Sequence, residues 1–197
     1  MLTQVPAAEP RLRCGHHAGL LATAILGIVV ARSSSIHATI AVEFACYGAL
    51  HGGAVAICLE PRPARWRALA FVAAAALLSG SLTRAGLLAA QFLAGRGVQA
   101  AALFVVAVSA FAGALGYGAL LRYWLRYPLA PAPLVMIAFA CTFAACAALV
   151  PMRQYPTGGT AWLAIFWWLA FSGGLCAAPR LARPAREPPE AIKQRMP

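Results

Sequence analysis

The chain has 197 residues, 62% hydrophobic and 11% charged, with a mean hydropathy of +0.75 and a formal net charge of +11. A soluble domain is nearer half apolar and a quarter charged, so this composition excludes an ordinary globular domain and points to apolar runs that cross a membrane. The charge comes from fifteen arginines and one lysine against five glutamates and no aspartate. The arginines sit in short turns and tails beside apolar runs, where they read as orientation signals rather than as a nucleic-acid surface.

In chain order, MLTQVPAAEP is a polar tail, and RLRCGHH leads into a first apolar run from Ala18 to Ala31. That run reaches spanning length only if Cys14 to His17 and the serines after Arg32 count as helix ends, giving a span over about 14–34. A rival reading takes Arg11 and Arg13 as the basic start of a secretory signal and Val29-Val30-Ala31 as a loose cleavage site. The second span, 36–59, ends at EPRPARWR, two prolines and three arginines that break a helix. Trp66 opens a third span over 66–82. The segment 83–97, with Arg84, Gln91 and Arg96, is too apolar for an ordinary loop and too short to span, so an interfacial or re-entrant helix is expected. Spans over 98–121, 134–150 and 160–178 follow, the fourth closed by the basic and aromatic turn RYWLRYP. The tail 180–197 is proline-rich and charged and reads as disordered and cytoplasmic.

The expected fold is therefore all-α, a polytopic transmembrane bundle of six spans. With the N-terminus inside, twelve of the sixteen basic residues fall on the cytoplasmic side and Arg32, Arg84, Arg96 and Arg153 fall outside. Both termini are then cytoplasmic, as an even number of spans requires, and the expected location is the inner membrane. The six cysteines form no C-x-x-C pair and lie mostly inside apolar runs, where they read as small apolar fillers.

The second span carries the chemistry. Glu43, Tyr47 and His51 recur at four-residue steps, and Glu43 is the only carboxylate within a span. Winding the helix at about 100° per residue groups Thr39, Glu43, Cys46, Tyr47, His51 and Cys58 on one side and Ala41, Ala45, Gly48, Gly52 and Ala56 on the other. Ionisable groups avoid lipid and small residues let a neighbouring backbone approach, so both sides are expected to face protein. His51 lies about 12 Å deeper than Glu43. Arg84 is the first candidate partner for the buried acid, and Arg32 the second. Small residues in the fourth span, Gly113, Gly116 and Gly118 among them, predict close helix packing.

Two functions follow from this reading. One is a small permease moving a proton, cation or small solute past Glu43, Tyr47, His51 and Arg84. The other is a non-catalytic subunit or assembly factor that docks to a membrane partner or to a second copy through its small-residue ridges. Apart from the lipid bilayer no partner is specified. No metal or other cofactor is expected: His16 and His17 diverge by about 100° on a helix, and haem would need a second histidine as deep as His51. Enzyme activity is the weaker expectation. Without aspartate no aspartyl dyad forms, and serine-histidine chemistry would need a deep serine, from Ser79, Ser81, Ser109 or Ser172, facing His51.

Overall fold

The structure, a computed structural model, describes residues 11–12, 40–96, 101–154 and 159–181. Among them the chain is helical apart from one two-stranded ladder and its turns. β1 (Arg11–Leu12) pairs antiparallel with β2 (Leu59–Glu60), Arg11 opposite Glu60 and Leu12 opposite Leu59. The helices are α1 (Ile40–Cys58), α2 (Arg65–Ala94), α3 (Ala101–Leu125), α4 (Pro131–Gln154) and α5 (Gly159–Leu181). Three stretches, Arg65–Leu93, Ala102–Leu125 and Pro131–Val150, are long and apolar enough to cross a membrane, and the apolar parts of α1 and α5, Val42–Cys58 and Trp162–Ala178, are shorter. The span expected at 14–34, and the tail beyond Leu181, lie outside the described residues.

Each helix packs mainly against its neighbours in sequence, and α5 returns to touch α1. The contacts show that successive helices run antiparallel. Gly48 and Gly52 of α1 face Ser79 and Ala75 of α2, Gly116 of α3 faces Leu78, and Gly174 of α5 faces Ile137 of α4. Between α1 and α5 the pairing runs the other way, Tyr47 with Trp168 and His51 with Ser172, so these two are parallel. Along most helices large side chains such as Ile57, Leu69, Leu77 and Phe143 are exposed, as suits surfaces covered by lipid.

Two sequence expectations need correction. No break occurs at Leu82: residues 83–94 continue α2, a single helix of 30 residues and about 45 Å, in place of a separate interfacial or re-entrant segment over 83–97. No proline interrupts the stretch, and the Thr83 hydroxyl donates back to the Ser79 carbonyl at 2.8 Å, a bond that helices accommodate. Gly86 then lets α3 come close, since a Cβ there would lie 3.0 Å from Ser109 Oγ. The second correction concerns α1, which buries one broad face instead of two opposite ones. Tyr47, Gly48, His51, Gly52, Val55 and Cys58 are buried, while Val42, Cys46 and Ile57 are exposed. Gly48 lies only about 60° around the helix from His51, so the glycines and the aromatic positions merge into one surface and Cys46 is left outside it.

Among the described glycines, Gly48 of α1 stands nearest to the backbone of another helix, α2. A Cβ on Gly48 would collide with the Ser79 side chain and lie 2.6 Å from the Ala75 carbonyl oxygen. Backbone cannot yield as a flexible side chain can. At the other end of the bundle, Arg126 closes α3 with a left-handed φ of 54°, a helix-terminating conformation usually given to glycine. The Tyr127 N–H bonds the Leu121 carbonyl at 3.2 Å, and the Tyr127 hydroxyl donates to the Leu175 carbonyl at 3.3 Å, tying the turn to α5.

Thermal unfolding in detergent checks both points. Gly48→Ala should destabilise by about 1–3 kcal/mol through overpacking, whereas Arg126→Gly should stabilise by about 1 kcal/mol by relieving the left-handed cost. A Gly48→Ala protein as stable as wild type would show that α1 and α2 do not touch as described.

Candidate functional site

Three helices meet at His51. Its Nδ1 lies 3.0 Å from the Tyr117 hydroxyl on α3, and its Nε2 lies 3.1 Å from Ser172 Oγ on α5. The residues are nearly sealed, with exposures of 3% for His51, 2% for Tyr117 and 6% for Ser172. A neutral imidazole donates from one ring nitrogen and accepts at the other. Hydroxyls can do either, so both nitrogens are satisfied without a charged partner. The ring stacks on Trp168 at 5.3 Å between centroids and 8° between planes, and it meets Tyr117, Trp167 and Phe171 at 5.2, 6.1 and 6.0 Å. Gly52, one residue on, makes room: a Cβ there would sit 3.3 Å from the Tyr117 oxygen.

Above this cluster, toward the start of α1, the bundle is hollow. A cavity of about 380 Å³ runs between the first half of α1, the second half of α2, the first half of α3 and the facing ends of α4 and α5. Tyr117 is its deepest residue on α3, and Tyr47, Trp167 and Trp168 form its aromatic wall. Below the cluster the opposite half is filled, with Val55, Phe71, Leu121, Phe171 and Leu175 at 1% exposure or less. The Trp167 indole N–H donates to the Ala110 carbonyl at 3.1 Å, and the Cys141 thiol approaches the Trp167 carbonyl at 3.8 Å. Trp167 is thereby held between α3 and α4.

The sequence-derived candidates separate. Tyr47 and His51 are buried and share Trp168 as a ring neighbour, but Tyr47 lines the cavity and His51 lies behind its wall. Glu43 is half-buried near the start of α1, outside the cavity lining, and Arg84 is exposed on α2. Of the glycines, Gly48 and Gly113 line the cavity. Gly52, Gly116 and Gly118 stand against Ala75, Leu78 and Leu134. Among the described residues no group of three or more His, Cys, Asp or Glu could hold a metal.

Tyr117 is not among the sequence-derived candidates, Trp167 reads there only as an anchor of the last span, and Ser172 only as one of four deep serines. A phenol in the middle of a run dense in glycine was the available signal, because a buried tyrosine hydroxyl needs a partner.

The pairing of a deep serine with a deep histidine invites comparison with a nucleophile and its base, whose hydrogen-bond distance it meets. Two features argue against acyl transfer. Ser172 and His51 do not line the cavity, and Ser172 lies inside α5, where neighbouring amide N–H groups are spent on helical hydrogen bonds and leave no backbone donors for an oxyanion. The cluster acts as a clasp on α1, α3 and α5.

A double-mutant cycle tests the clasp. Tyr117→Phe should cost about 1–3 kcal/mol by leaving a ring nitrogen of His51 unsatisfied, and the His51–Tyr117 coupling should fall within the ~0.6 to 1.7 kcal/mol found for hydrogen bonds between membrane helices. Zero coupling would show that the two side chains do not bond. Comparison with protein-family models, curated proteins and solved structures finds no match.

Proposed function

We propose that this protein is a small permease-like protein of the inner membrane that takes up a small uncharged solute from one side. In this reading the chain crosses the bilayer six times, with residues 14–34 supplying the first crossing and both termini in the cytoplasm. The arginine asymmetry supports that orientation, and the alternating directions of α1 to α5 are compatible with it. The hollow end of the bundle then faces outward.

The observation that carries the proposal is the difference between the two halves: a cavity of about 380 Å³ above Tyr117 and close packing below it. The volume suits a small-molecule site, which commonly measures about 300–1,000 Å³. A site confined to one half of the bundle, with the other half packed, fits one of the two states that alternating access requires. Movement of the clasp would be the step that connects the halves.

A proton or cation is less well served than an uncharged solute. Neither Glu43 nor His51 lines the cavity, and a charge in the hydrocarbon region costs on the order of 2.5–3.5 kcal/mol on insertion scales.

Stopped-flow swelling of reconstituted vesicles, across uncharged solutes from glycerol to phenyl glucoside, tests this function. Wild-type vesicles should admit at least one solute several times faster than protein-free vesicles, and Gly113→Phe, which projects a ring into the cavity, should return the rate to background. Background rates for the whole panel with folded wild-type protein would remove the permease reading in favour of a non-catalytic membrane subunit.

A further inference from the structure

We propose that the cavity selects an uncharged, ring-bearing molecule carrying a hydroxyl or carbonyl group, held by the Ser79 and Ser109 hydroxyls against an aromatic wall. This deepens the reading of the cavity as a solute site and rests on it.

Three observations converge. First, the described lining residues include no Asp, Glu, Lys, Arg, His or Cys, so a charged ligand would lose its hydration without gaining a counter-charge. Second, the cavity's hydroxyls are not equivalent. The Thr83 hydroxyl is committed to the Ser79 carbonyl and the Tyr117 hydroxyl to His51. The Ser79 and Ser109 hydroxyls, on α2 and α3, engage no described residue. An apolar occupant would leave both unpaired; a hydroxyl or carbonyl would pair with at least one. Third, the lining also includes the aromatic side chains of Phe44, Tyr47, Trp167 and Trp168. Trp168 has one ring face stacked on His51 and Trp167 one on Phe171, which fixes both planes. Aromatic walls of fixed orientation favour flat rings over flexible acyl chains, because stacked and edge-on pairs add to simple burial.

Quenching of tryptophan emission in nanodiscs, titrated with 2-naphthol, naphthalene and 2-naphthoate, separates the alternatives on one carbon frame. The cavity signal is the difference between wild type and Gly113→Phe, where an added Cβ meets only Leu82 at 3.5 Å and Trp167 at 3.8 Å. We expect 2-naphthol to bind about five- to tenfold more tightly than naphthalene and at least about a hundredfold more tightly than 2-naphthoate. The combined Ser79→Ala and Ser109→Ala protein should bind 2-naphthol only as well as naphthalene.

Loss of the 2-naphthol advantage in the serine variant is read directly against wild type and so survives misfolding of Gly113→Phe. Equal binding of 2-naphthol and naphthalene would overturn the proposal and favour a lipid chain as occupant. Binding of 2-naphthoate at the level of 2-naphthol, or a 2-naphthol advantage that persists without the serines, would also overturn it. Expected binding without solute flux would defeat the permease function alone; flux without the binding order would defeat the ligand class alone.

Discussion

A histidine buried at 3% exposure needs partners for both ring nitrogens, because solvent does not reach them. His51 finds its two on different helices, Tyr117 of α3 and Ser172 of α5, so satisfying one side chain sets the relative positions of three elements. Where α1 and α5 meet, the neighbours also include the ring contacts of Trp168 with His51 and Tyr47. Hydrogen bonds of this kind are individually small between membrane helices, near 0.6 kcal/mol on average. Their effect here is geometric: they fix the depth at which the helices cross, and the packed half and the hollow half divide at that depth.

Close packing on one side of the clasp and space on the other follow from the residue sizes available. Below it, Phe71, Leu121, Phe171 and Leu175 fill the interior. Above it, Gly48, Gly86, Ser109, Ala110, Gly113 and Ala164 contribute little volume. Small residues usually bring helices together until the gap closes, and Gly48 does so against α2. At Gly113 they do not: Trp167, held by its bond to the Ala110 carbonyl, stands between the helices and keeps the space open.

Much of the architecture was legible in the sequence because it follows from length and hydropathy. The apolar runs and the basic turns between them could be counted. The extent of α2 could not, since a rule that ends a span at an arginine treats Arg84 as a boundary, whereas an exposed arginine at a helix surface can extend its charged end toward the interface. The candidate site was read from i to i+4 spacing on one helix, which detects neighbours along α1 but not across the bundle. Tyr117 and Ser172 lie 66 and 121 residues from His51, and no local pattern links them. The same limit explains the emphasis on Glu43, which is conspicuous as a lone acid yet lies outside the cavity lining.

The protein encloses His51 and bonds it from both sides. Solid-state NMR on bilayer-reconstituted protein labelled with ring-¹⁵N histidine, with His51→Ala as the assignment control, tests this arrangement most directly. One His51 nitrogen should correlate with the hydroxyl proton of Tyr117 or Ser172, the other should carry the ring N–H directed at the remaining hydroxyl oxygen, and neither should correlate with water. Exchange of either nitrogen with bulk water, or correlation with lipid chain protons, would contradict it.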